Sequence, residues 1–396
     1  MAISDGFTWR SVPAMIALCG VWRESAERVF QEHNAMATRR LDVASLPPLD
    51  PVALLRRYQQ AAAAGHVFEA AGPDEGRAWQ RQVRSELAAT LGFQDLDAVD
   101  FAAEVIEQVE RGDHIRRKIT IHTTRGKILP VYLLFPKSRP GPLPVVLAFH
   151  GHGYGVKDII GLWEDGEERT TPDGYHKDFA LELVRRGFLV AAPEIMAFGE
   201  HVPDQSHVQP ELGQGQSPPC HAVATWAMMA GGSLAGLRVF EARRLVDYLT
   251  TLPEADTERL GAMGISGGGM HTFFSALVDE RIRVAVISGY FCSWHASILA
   301  MHHCICNFIP GILGVGDLPE LAALLAPRPV LIEAGTRDGI FPIEAVRDAV
   351  GRLREIYAVW DASNQIELDE FEGRHQISGR RAYDFLVEKL QRQSSK

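Results

Sequence analysis

The hydrophobic pattern changes its period once, near residue 103. Before that point apolar positions recur at helical spacing. Residues 13–40 carry Trp22, Val29 and Phe30 on such a repeat, and Pro47-Pro48 ends it. A second helix is expected from about Asp50 to Ala64, stopped by Gly65, and a third from about Asp74 to Leu91, ending at Gly92. From Ala103 the period is two. Glu104–Val109, Ile115–Thr123 and Lys127–Phe135, the last two joined by Arg125-Gly126, read as an antiparallel meander. After a surface loop at Pro136–Pro142, Pro144–Phe149 is apolar throughout, as a central parallel strand must be. Strands then alternate with helices. The strands are Phe188–Ala192, Leu260–Ile265, Val284–Ser288, Pro329–Ala334 and Ile366–Phe371; the helices are Phe179–Arg186, Leu234–Leu252, Ile343–Trp360 and Arg380–Gln391.

This order predicts an α/β fold: a mostly parallel central sheet, helices on both faces, an antiparallel start and an N-terminal helical extension. The expected division is a helical accessory or cap region at residues 1–102 and an α/β catalytic domain at 103–396. For the extension the plainer role is packing and oligomer contact, a homodimer included. The sharper role is roofing an active site.

Composition narrows the partners. The chain has 396 residues and a formal net charge of −10, with no basic run, so a nucleic-acid partner is not expected. No apolar stretch is long enough to span a bilayer, and Val12–Trp22 lacks the basic flank and cleavage site of a signal peptide. The five cysteines (Cys19, Cys220, Cys292, Cys304 and Cys306) are odd in number and irregular in spacing, which fits reduced thiols in a cytoplasmic protein.

The chemistry centres on Met263-Gly264-Ile265-Ser266-Gly267-Gly268, a Gly-x-Ser-x-Gly pattern fed by the apolar run Leu260–Met263 and followed by a helix-forming stretch from His271. Strand, tight turn and helix is the setting in which this serine becomes an exposed nucleophile, with the helix N-terminus aimed at developing negative charge. Side chains at Gly264 or Gly268 would collide with the neighbouring strand and helix. Gly231-Gly232-Ser233 is a near-miss, because Thr225–Ala230 before it reads as helix and no strand feeds that serine. A serine hydroxyl needs a base, and the base an orienting acid. Leu331–Asp338 is a strand running into a loop that delivers Asp338, and the last strand ends in Phe371-Glu372-Gly373-Arg374-His375. One aspartate after a strand is commonly a turn residue, and one histidine among fifteen is commonly structural. Three such residues at three strand ends, in the order Ser266, Asp338, His375, form a candidate triad. Glu333 and Glu194 are weaker acids, and His271 faces away on the helix after the serine.

Two backbone donors are needed for an oxyanion. The amide of Gly267 is one candidate; the amide of His152, in His150-Gly151-His152-Gly153, is the other. The His150 and His152 side chains make a poor metal site on spacing, and Trp294-His295 with His302-His303-Cys304-Ile305-Cys306 matches no zinc pattern, so neither metal nor cofactor is expected.

These residues resemble the α/β-hydrolase superfamily, in the branch of dienelactone-hydrolase-like and acetyl-xylan-esterase-like proteins often called abhydrolase family 7. The resemblance runs from about Ala103 to the C-terminus and, more loosely, takes in the helix around Trp79. It rests on His150-Gly151-His152-Gly153, Ala192-Pro193-Glu194 with Phe198-Gly199-Glu200, Gly264–Gly268, Ala326-Pro327-Arg328-Pro329 and Phe371–His375. It implies a cofactor-free serine hydrolase acting on carboxylic esters. Glu194 stands where many relatives carry Asp, and the helical extension is absent from simple dienelactone hydrolases, so their substrates do not transfer. The expectation is therefore a serine esterase for a small-molecule ester. The loops Tyr154–Gly174, Phe198–Trp226 and Phe291–Gly316 would wall an apolar pocket for a small or aromatic ester. The same triad could serve amide, peptide or carbamate bonds, and a silent binding protein on this fold is the reading from another class.

Overall fold

The computed structural model describes residues 51–63, 66–139, 141–212 and 214–391. The predicted first helix, at 13–40, lies outside them. The chain divides into two units, Met1–Gly65 and His66–Lys396. In the first, helix α1 (Pro51–Ala63) occurs where the pattern places it.

The second unit is built on one nine-stranded sheet, in the order β1-β2-β3-β5-β4-β6-β7-β8-β9. Its strands are β1 (Glu104–Glu110), β2 (His114–Thr124), β3 (Lys127–Pro136), β4 (Leu143–Phe149), β5 (Leu189–Pro193), β6 (Ala255–Ile265), β7 (Val284–Ser288), β8 (Val330–Gly335) and β9 (Ile366–Phe371). Pairings from β1 through β3 to β5 are antiparallel; all pairings from β5 through β4 to β9 are parallel. Every residue of β4, β5, β7 and β8 is buried, as their apolar runs favour; the polar Ser288 of β7 and Glu333 of β8 are buried against each other. At the edge, six of the seven β1 residues are exposed and Val109 is half-buried, and the register slips between Val105 and Glu107.

The longer helices of this unit are α2 (Pro73–Leu91), α3 (Phe179–Arg185), α4 (Pro219–Met229), α5 (Leu234–Leu249), α6 (Gly267–Val278), α7 (Ile343–Ala358) and α8 (Ala382–Leu390). They bury two apolar layers. One holds α2, α5, α6 and α7, through residues such as Leu87, Leu245, Phe273 and Leu353; the other holds α3 and α8, through Phe179 and Phe385. Among the described residues no single helix is long and apolar enough to cross a membrane.

The boundary expected at residue 102 is displaced. The α/β unit begins at His66, and α2 belongs to its core through Val83, Leu87 and Leu91. Polar contacts explain why the helix cannot be a detachable cap. Arg84 donates to Leu277 O (2.8 Å) and Leu324 O (2.9 Å), and buried Gln80 donates to Ala323 O and Ala326 O, both 2.7 Å. Gly76 lets α2 approach so closely that a Cβ there would meet Trp360 Cζ2 at 2.4 Å.

Sheet order also positions the chemistry. From β4 the chain crosses to β5 on one side and then to β6 on the other. The carboxyl ends of β4 and β6 therefore flank the point where strand order reverses, the customary crevice of such sheets.

Candidate active site

Ser266 sits at the tip of β6 with φ 57° and ψ −119°, immediately before α6. Such a positive φ is rarely adopted by a side-chain-bearing residue. Here the backbone is fixed by Ser266 N donating to Ser288 O at 3.0 Å. The turn closes only because its glycines lack side chains. A Cβ on Gly268 would lie 2.0 Å from Phe149 O, and one on Gly264 2.4 Å from Gly268 O. Ser233, the near-miss, is the buried N-cap of α5, accepting from Gly236 N and donating to Leu91 O.

The loops leaving β8 and β9 are zipped together. Thr336 N donates to Phe371 O and Arg337 N to Gly373 O (2.9 and 2.8 Å), and Gly335 allows the approach, since a Cβ there would meet Arg374 O at 2.4 Å. This brings Asp338 and His375 into contact: His375 Nδ1 lies 2.7 Å from Asp338 Oδ2. The other carboxylate oxygen, Oδ1, accepts from the amides of Ile340 (2.8 Å) and Phe341 (3.2 Å). The imidazole lies over Gly289, where a Cβ would sit 2.8 Å from His375 Cε1. Gly289 is one residue beyond the carbonyl that anchors Ser266, so the ring stands beside the serine. His375 Nε2 is buried without a hydrogen-bond partner among the described residues. The Tyr175 phenol, which donates to His152 O, also lies close enough to the Ser266 side chain to interact with it.

Gly267 and His152 lie side by side: a Cβ on Gly267 would be 3.0 Å from His152 Nδ1 and 3.9 Å from His152 N. Among the described residues neither amide has a hydrogen-bond acceptor. The β4 loop that carries His152 is tied down three times. Gly151 N donates to His176 Nε2 (2.8 Å), Tyr175 Oη donates to His152 O (2.6 Å), and Ile195 N donates to His150 Nε2 (3.1 Å). Because His176 Nε2 accepts, its proton belongs on Nδ1, which lies 3.0 Å from Asp158 Oδ2. Burial lowers the His176 pKa and raises that of Tyr175, so both stay neutral. The other acids have different employment. Glu194 accepts from Val156 N (2.9 Å), and Glu333 accepts from the Ser288 hydroxyl and from Gly379 N (2.7 Å). His271 is buried on α6, stacked on Phe149 with Nε2 2.9 Å from Arg238 O, and burial pushes its pKa down to about 3.

The Abhydrolase family model matches residues 52–395. This chain belongs to the Abhydrolase family. Within it the chain is similar to YtaP of Bacillus subtilis (strain 168), a hydrolase candidate, at 26% identity over 283 residues covering 69% of this chain and 87% of YtaP. In structure it resembles an acetyl xylan esterase candidate of Bacteroides fragilis NCTC 9343 (TM-score 0.66, 17% identity, 82% of each chain). It also resembles a glucuronoyl esterase of Solibacter usitatus (TM-score 0.58, 14% identity, 79% of this chain and 93% of that one). These likenesses establish the α/β-hydrolase fold.

In this Abhydrolase member, some site residues escape sequence reasoning. Tyr175, His176 and Asp158 carry no spacing signal, because they meet the β4 loop only through the fold. The same holds for a group of donors that the irregular cysteine spacing argued against: His152, Cys220, Cys304 and Cys306 place one ligand atom each within 4.8 Å of the others. Of the expected pocket walls, Tyr154 and Trp163 line a depression of about 600 Å³ with Glu164 and Asp165. No member of the candidate triad lines it, so it is not the acyl site.

Proposed function

We propose that this protein is a serine esterase in which Ser266 is the nucleophile, His375 the base and Asp338 its orienting acid. The observation that carries the reading is the 2.7 Å Asp338–His375 contact beside a serine held at positive φ. Ser266 Oγ attacks the ester carbonyl while His375 Nε2 takes its proton. Asp338 keeps the proton on Nδ1 and stabilises the imidazolium. The amides of Gly267 and His152 receive the oxyanion, an interaction typically contributing about 3–4 kcal/mol per donor to the transition state. His375 then protonates the leaving alcohol, and water activated by the same ring releases the acid. The names of the structural neighbours, acetyl xylan and glucuronoyl esterases, support carboxylic esters carried on carbohydrates as the substrate class.

The test is hydrolysis of p-nitrophenyl esters of increasing acyl length by the wild type and Ser266→Ala. Turnover of short esters by the wild type should fall by about 10⁴-fold or more in the variant, with folding unchanged. Undiminished turnover in the variant removes Ser266 from the mechanism. Fluorophosphonate uptake without ester turnover would overturn the ester reading and retain the triad.

A further inference from the structure

We propose that His152, Cys220, Cys304 and Cys306 form a tetrahedral site for a divalent metal of the zinc class. The donors come from three separate places: the loop after β4, the first turn of α4, and a Cys-x-Cys pair in the loop after β7. Each offers one ligand atom, and all four atoms lie within 4.8 Å of one another. Zinc bonded at about 2.3 Å to sulfur and about 2.0 Å to nitrogen requires tetrahedral edges of about 3.5–3.8 Å. Cys306 Sγ lies 3.6 Å from His152 Nε2, the separation that one shared ion would set.

The surrounding charge argues the same way. Arg238 is 1% exposed, and among the described residues no carboxylate lies within ion-pair distance of it. Its guanidinium donates to Met196 O (3.1 and 2.8 Å) and to Cys220 Sγ at 3.4 Å. A buried cation needs an anion nearby. Three thiols supply none, whereas three thiolates around a divalent ion carry one net negative charge, which Arg238 balances. Asn307 Nδ2 donates to Cys304 O (3.0 Å) and approaches Cys306 Sγ at 3.8 Å, the outer hydrogen bonding that orients thiolate ligands.

Four protein donors leave no open position, so the site is structural. Its consequence is positional. The ion would join two loops and the start of α4, and would hold the imidazole of His152, whose Nδ1 would lie 3.0 Å from a Cβ on Gly267. Binding converts thiols to thiolates, releases their protons and stabilises the folded chain.

The experiment measures metal directly. Full-length protein is purified with a thiol reductant, incubated with zinc, freed of loose metal and analysed by elemental mass spectrometry. About one zinc per chain is expected in the wild type and in Cys292→Ser, and less than about a tenth of that in Cys304→Ser/Cys306→Ser. In case that variant fails to fold, cobalt is loaded into the wild type, where thiolate-to-cobalt charge transfer and intense visible bands report a tetrahedral sulfur-rich site. Wild type that retains no zinc and develops no such bands overturns the proposal, as does a folded double variant with undiminished zinc, or a disulfide among these cysteines in the reduced preparation. None of these readouts depends on ester turnover.

Discussion

Ser266 occupies a backbone conformation that costs on the order of 1–3 kcal/mol in isolation. It persists because its amide is bonded to Ser288 O and the flanking glycines admit the carbonyls of Phe149 and Gly268. Asp338 shows the opposite economy: one carboxylate oxygen is spent on two loop amides, leaving the second for His375. Asp338→Asn should keep the amide contacts through its remaining oxygen and turn its NH2 toward Nδ1. That forces the imidazole proton onto Nε2, where it blocks uptake of the serine proton. The expected result is a kcat loss of about 10⁴-fold with KM and melting temperature little changed. A loss under tenfold would remove Asp338 from the mechanism. At this scale the sequence was readable where a residue lies within a few positions of a strand end, as Ser266, Asp338 and His375 do after β6, β8 and β9. It was mute where partners meet only in space. Nothing in the spacing links Tyr175 to His152, or Cys220 to Cys306.

Among the elements, α6 shows how a remote helix supports the site. Its N-terminus starts at the serine, while its buried far end exposes carbonyls that must find donors. Arg328 Nη2 donates to Ala276 O at 2.7 Å and Arg84 Nε to Leu277 O at 2.8 Å. The second donor comes from α2, which the hydrophobic pattern predicted correctly as a helix. Periodicity assigns type and length but not destination, so the domain boundary was placed after α2 rather than before it. Arg84→Met keeps the apolar stem and removes donors from Leu277 O and Leu324 O. A stability loss of about 2–4 kcal/mol is expected by urea denaturation. An unchanged midpoint would mean that α2 does not hold α6.

For the molecule as a whole, the sheet buries ionisable groups that link stability to pH. Burial raises the pKa of Glu333 to about 7, against an ordinary value of 4.5. Its folded form therefore holds a proton that the unfolded chain has already released. The contribution is fully present below about pH 4.5, declines as pH rises to about 7, and is then flat. Glu333→Gln should abolish this decline. Relative to the wild type, the variant should gain stability on the order of 2–3 kcal/mol between pH 4.5 and 7.5. Parallel unfolding curves at both pH values would refute a neutral Glu333. The strands and the mostly parallel sheet with its antiparallel start were legible because the central strands are largely apolar runs. The exposure of β1 was not, because alternation alone does not tell an edge strand from an inner one.

That edge has its own consequence. An unpaired strand is a template on which another chain can continue the sheet. In β1 the invitation is withdrawn. Glu104, Glu107 and Glu110 fringe the border, and the slip in register after Val105 disrupts the ladder another strand would have to match. An incoming copy would bring the same acidic fringe against this one. The sheet thus carries an acidic, irregular border at the end farthest from the chemistry.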